Sequence, residues 1–163
     1  MNWTEVCEDR TLANLPYKIE LDKYGKIIMS PAKKKHSKLQ IRIQRLLLKL
    51  LRGGEPLPEC AVETLEGTKV PDVAWISDAR WASMDPNEAS CSVAPEICIE
   101  ILSASNTREE MLGTPEKAGK RELYFQSGAV EFWICTESGR ISFYDSSGQI
   151  RKSKLCPEFP EQL

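Results

Sequence analysis

The sequence predicts a mixed α/β (α+β) domain, in which helices pack on a central β-sheet. Three observations point there. Residues 97–102, "ICIEIL", form a short apolar run broken by one acid, which reads as a strand buried on both faces. Between Pro31 and Gly53, the residues Leu39, Ile43, Leu46, Leu47 and Leu50 recur at three- and four-residue steps, the period of an amphipathic helix. The whole chain reads in the order helix, hairpin, helix, strands, helix, hairpin, which suits a mixed sheet with helices on it.

Each element has a local reason. Residues 1–14 predict a short helix. "YKIELDKYGKIIMS" predicts a hairpin, with strands over 17–21 and 26–30 and a turn around Lys23 to Gly25. The long helix starts at Ser30-Pro31 and stops at Gly53. Two strands follow, over 60–65 and 70–76, joined by a turn at "EGT". Residues 78–94 predict a loop with a helical turn around Trp81. After the 97–101 strand, a helix over 115–127 is capped by Thr114 and ended by Gly128. "AVEFWICT", "ESGR" and "ISFYD" predict a second hairpin, and the tail from Ser146 adds an edge strand and then frays.

The chain has 163 residues and a net charge of −2, with 41% hydrophobic and 28% charged residues. That is ordinary globular composition for one domain over 1–163. No global basic excess points to nucleic acid, so such a function must rest on local charge. No apolar stretch approaches the roughly 20 residues of a membrane span, and the acidic N-terminus lacks signal-peptide order, so a cytoplasmic location and no membrane partner are expected. The six cysteines contain no C-x-x-C pair, which argues against zinc and for reduced, buried thiols. His36 is the only histidine, which excludes any mechanism needing two.

Four groups of residues could carry chemistry. Glu100 interrupts an apolar strand, and burying an uncompensated carboxylate costs several kcal/mol. Asp72, in "KVPDVAWIS", opens another apolar strand. It could simply cap a Pro-Asp turn, but adjacent strands could also bring it to Glu100. Two such acids repel, and a shared divalent cation resolves the repulsion. Lys120 stands four residues before Tyr124, with Lys117 on the same helical face. It could pair on the surface with Glu116, or sit beside the acids and orient a water. Glu20 alternates away from Tyr17, Ile19 and Leu21 and shares a strand face with Lys18 and Asp22, by default a solvated one. Lys38, Arg42, Arg45, Lys49 and Arg52 form one stripe on a helix with no acid from Pro31 to Gly54. Lys33, Lys34, Lys35 and His36 crowd its start, where the macrodipole disfavours cations and a phosphate backbone would relieve them.

"VPDVAWIS", "PEICIEILSASN", "KRELYFQSGAVEFWIC" and "GRISFYD", preceded by "LPYKIELDKYGKIIMSPAKKKHSKL", resemble the Uma-type restriction endonuclease family. This bacterial family, abundant in cyanobacteria, belongs to the PD-(D/E)xK nuclease superfamily. The likeness runs from about Trp3 to Asp145. It implies a restriction-endonuclease-like mixed central sheet flanked by helices, and a metal-dependent endonuclease acting on DNA. It also implies roles: Asp72 and Glu100 as acids holding Mg (or Mn), with the main-chain carbonyl of Ile101 as a further ligand, Lys120 as the catalytic lysine and Glu20 as an acid completing the site. Lys33, Lys34, Lys35, His36, Lys38 and Arg42 would bind nucleic acid, and cutting both strands suggests a homodimer. Two departures stand out. Position 102, where the superfamily lysine usually sits, is Leu, and "MLGTP" interrupts the expected helix start and leaves Lys117 as a rival to Lys120. A nuclease fold retained as a DNA- or protein-binding module is the alternative.

Overall fold

The computed structural model describes residues 1–31, 34–103 and 106–163. In chain order the elements are α1 (Trp3–Glu8), β1 (Tyr17–Leu21), β2 (Ile27–Pro31), α2 (Lys34–Leu50), β3 (Gly54–Pro58), β4 (Val62–Thr64), β5 (Gly67–Lys69), β6 (Val73–Ser77), α3 (Asp78–Ala82), β7 (Ile97–Ile101), α4 (Arg108–Leu112), α5 (Lys120–Gln126), β8 (Glu131–Cys135), β9 (Ile141–Asp145) and β10 (Gly148–Ile150). Six strands form the central sheet in the order β10-β9-β8-β7-β6-β3, while β1-β2 and β4-β5 are separate hairpins. Among the described strands of this sheet, only β7 and β8 pair in parallel. The fold is therefore the mixed central sheet with helices that the sequence predicts.

Strand alternation divides the core into two layers. Ile97, Ile99 and Ile101 of β7 face α2 and pack with Leu39, Ile43 and Leu47, alongside Trp75, Trp133 and Phe143. Cys98 faces the other side, with Phe132, Ile134 and Tyr144, under Met111 of α4 and Tyr124 of α5. Glu100 belongs by alternation to that second layer and is fully buried.

Several boundaries differ from the sequence reading. The strand β3 was hidden by Pro56 and Pro58. It lies at the sheet edge and pairs only with β6, where missing N–H groups are tolerated. The predicted 70–76 strand begins only at Val73, after Pro71, and runs to Ser77 in the central sheet, while Gly67–Lys69, largely within the predicted "EGT" turn, is a short strand that closes a hairpin on Val62–Thr64. Pro31 ends β2 instead of opening the long helix, which is described from Lys34. The helix expected over 115–127 is shorter than predicted, and a separate helix, α4, precedes it, starting at a capping box formed by Thr107 and Glu110. The expected helix, α5, begins only at Lys120, so Lys117 is not on a helical face with Lys120 and Tyr124.

The tail does add the edge strand β10, but it does not fray. Cys156 and Phe159 are buried in the α2-side core. Buried Glu131 accepts hydrogen bonds from Ser153 Oγ and from the main-chain N–H groups of Lys154 and Leu155, which anchors the tail to β8. All six cysteines are free thiols; Cys91, Cys98, Cys135 and Cys156 are buried as expected, whereas Cys7 is exposed and Cys60 half-buried.

Candidate active site

The register of β6 against β7 decides where the two acids meet. Val73 pairs with Ile99 and Ala74 with Cys98. Extending that antiparallel register by one residue sets Asp72 opposite Glu100, and opposed residues share a sheet face. Both are buried, at 1% and 0% exposure. Asp72 is fixed from three directions. Its Oδ2 accepts from the Ile101 N–H at 2.7 Å, its Oδ1 faces His36 Nε2 at 3.2 Å, and its carbonyl accepts from Gln40 Nε2 at 2.8 Å.

Glu100 is compensated by two lysines. Lys120 Nζ donates to its Oε1 at 2.9 Å, and Lys18 Nζ to its Oε2 at 3.1 Å. The Tyr124 hydroxyl also donates to Oε1, at 2.9 Å. Lys18 reaches Asp72 Oδ1 at 2.7 Å as well, so a single ammonium nitrogen bridges the two acids. Lys120 bridges in turn to Glu20 Oε1 at 2.6 Å, and the same Glu20 oxygen accepts from the Val70 N–H.

The β1-β2 hairpin delivers Lys18 and Glu20. Its turn is closed by Asp22 Oδ1, which accepts from the N–H groups of Tyr24 and Lys26, and by Gly25 at φ 74°. Lys69 Nζ donates to the carbonyls of Leu21 and Glu66 and ties this hairpin to β4-β5. Lys120 arrives through a pinch in the chain. A Cβ at Gly119 would sit 2.2 Å from Gly113 N, and Gly113 has φ 82°. "MLGTP" therefore builds the close backbone approach that sets Lys120 at the first turn of α5.

Charge and burial compete at each group. Burial opposes the charged form of Lys18, but Glu100, Asp72 and Glu20 outweigh it and raise its pKa. Burial likewise opposes ionised Asp72, yet Lys18 and His36 hold its carboxyl well below the usual range. Glu20 is lowered in the same way, with Lys120 and Lys18 overcoming burial. Glu100 goes the other way: burial, helped by Asp72 and Glu20, raises its pKa despite both lysines.

A cleft of about 670 Å³ opens over this cluster, lined by Lys18, Glu20, His36, Asp72 and Lys120 among others. Lys117 lines the cleft too but sits outside the ion-pair cluster, in a tight bridge with Thr114. The structure brings together Asp72, Glu100, Glu20, Lys120 and, through its N–H, Ile101. The Ile101 carbonyl accepts from Asn106 Nδ2 at 3.3 Å. Two defaults of the sequence reading fail: Glu116 accepts from Thr114 instead of pairing with Lys120, and the Lys18–Glu20 face is turned inward. His36 also differs, since it points at Asp72 and not outward with the exposed Lys34, Lys35, Lys38 and Arg42. Lys33 lies outside the described residues. Lys18 and Gln40 were missed; Lys18 was readable, because alternation places it wherever Glu20 goes.

Residues 7–163 match the family model described as Uma2, putative restriction endonuclease. The chain belongs to that family. Among solved structures it is similar to one described as a putative nuclease belonging to DUF820, from Anabaena variabilis. The likeness has a TM-score of 0.65 and 18% identity, and covers 98% of this chain and 82% of that one, which establishes a shared fold. No curated protein matches. Membership in the Uma2 family supports a nuclease function.

The donor set can be tested against the metal such nucleases use. Among the described residues, no three His, Cys, Asp or Glu side chains form a ready metal cage. What converges is two carboxylates whose oxygens already share one cationic nitrogen. This suits Mg²⁺, which is usually held by one or two carboxylates, the rest of its shell being water and phosphate oxygens.

Proposed function

We propose that this Uma2-family chain is a divalent-metal-dependent endonuclease that hydrolyses DNA phosphodiester bonds. The observation that carries the reading is the convergence of Asp72 and Glu100, from neighbouring strands, on one cation position beside Lys120. Asp72, Glu100 and the Ile101 carbonyl would hold Mg²⁺ or Mn²⁺. When bound, the metal polarises the scissile phosphate and lowers the pKa of a coordinated water.

The chain's own residues do the remaining work. Lys120, anchored by Glu20 and Glu100, orients a water and offsets negative charge developing on the phosphate. Tyr124 fixes the Glu100 carboxylate, and His36 and Gln40 fix Asp72. Lys34, Lys35, Lys38 and Arg42 on α2 are exposed and free to meet the phosphate backbone. Cutting both strands of a duplex calls for two copies related by a twofold axis.

One observation favours a second reading. Lys18 and Lys120 between them already compensate Glu100, so a chain that retains the fold only as a binding module would look similar. Incubation of plasmid DNA with Mg²⁺ or Mn²⁺ separates the two. The nuclease reading expects metal-dependent nicking that disappears in the isosteric variants Asp72→Asn and Glu100→Gln. DNA binding without products under either metal would favour the module.

A further inference from the structure

We infer that Lys18 is a tethered counter-ion that competes with the divalent metal for Asp72 and Glu100, and so sets the metal affinity of the site. The inference rests on the metal-site reading above and adds a residue that the reading does not use.

The oxygens themselves make the case. Asp72 Oδ2 is occupied by the Ile101 N–H, and Glu100 Oε1 by Lys120 and Tyr124. The oxygens turned toward a shared cation are Asp72 Oδ1 and Glu100 Oε2, and Lys18 Nζ contacts both, whereas His36 Nε2, 3.2 Å from Oδ1, reaches Asp72 alone. A metal binds carboxylate oxygens at about 2.1 Å, within the space the ammonium fills, so the two cations exclude one another. Lys18 is only 13% exposed on a hairpin that is itself tied down, so its charge is held at the site and not merely nearby. It also lies 3.8 Å from Glu20, which offers a displaced ammonium a next anionic partner on its own strand.

Binding a metal therefore requires breaking two ion pairs that a neutral side chain of similar length would not make. Without Lys18, Asp72 and Glu100 repel across the sheet, and a divalent ion relieves the repulsion directly. Lys18 acts here as a positioning residue that trades metal affinity for stability of the cluster.

Titration calorimetry with Mn²⁺ on the wild type and on Lys18→Met tests this. The variant is expected to bind Mn²⁺ about tenfold tighter or more. It should also melt lower than the wild type without metal and show the larger rise in Tm with it. Adding Asp72→Asn to Lys18→Met should abolish the gain. Equal affinity in wild type and Lys18→Met would overturn the inference while leaving the metal site standing. Absence of Mn²⁺ binding in both would overturn the inference together with the metal-site reading. Should Lys18→Met not fold, reductive methylation of the wild type gives an independent readout by mass spectrometry. Lys18 should be protected without metal and modified with saturating Mn²⁺, and unchanged protection would overturn the inference.

Discussion

Glu100 shows how one buried charge organises its surroundings. It carries no exposed surface, yet it touches two ammonium groups and one phenol. The phenol is the member whose removal is cleanest, because Tyr124→Phe leaves the ring in the core. That substitution is expected to cost about 1.5–3 kcal/mol in urea denaturation, the range for a hydrogen bond to a charged group. A larger effect of Tyr124→Phe on cleavage than on stability would show that Glu100 orientation matters to the chemistry. At this scale the need of Glu100 for a partner was legible, because an acid inside an apolar strand demands one, whereas Lys120 was singled out by its spacing from Tyr124 and the family resemblance. The Lys18–Glu20 pair was misread for an equally physical reason. A polar strand face is normally wet, and only the docking of this hairpin over the β6-β7 junction turns it inward.

Elements position the site through two devices. The first is the Gly113–Gly119 pinch, where backbone meets backbone and no Cβ fits at Gly119. Gly119→Ala is expected to destabilise by about 1–3 kcal/mol through overpacking. It should also reduce cleavage, since Lys120 is the next residue. Thermal melting and nicking rates measured side by side check both. The second is the Glu131 anchor, a buried carboxylate with four donors, the fourth being Trp133 Nε1. Glu131→Ala leaves those donors unpaired and is expected to cost about 3 kcal/mol or more by urea denaturation, with the tail becoming sensitive to protease. The apolar strands, the last hairpin and α2 could be read from periodicity alone. The edge strand β3 could not, because "GEPLP" carries turn residues and its pairing is a tertiary fact. The helix α4 was readable from Thr107 and Glu110, which spell a capping box.

On the scale of the molecule, charge is segregated. The net charge is −2, yet the exposed face of α2 carries Lys38, Arg42, Arg45 and Lys49 without an acid, and exposed Arg52 follows just beyond its end. If that face meets the DNA backbone, Arg45→Gln with Lys49→Gln should reduce the salt slope of DNA binding by roughly two. Cleavage at saturating DNA should be unchanged. A salt slope equal to the wild type would place the DNA elsewhere. Among the described residues no helix is long and apolar enough to cross a membrane.

The proposed nuclease chemistry depends on Asp72 and Glu100 gripping one divalent cation. A crystal soaked in Mn²⁺, read by anomalous scattering, tests it most directly. The predicted result is a peak about 2.1 Å from oxygens of both carboxylates, with Lys18 Nζ moved off them. No peak at that position under saturating Mn²⁺, with Lys18 still bridging the two acids, would contradict it.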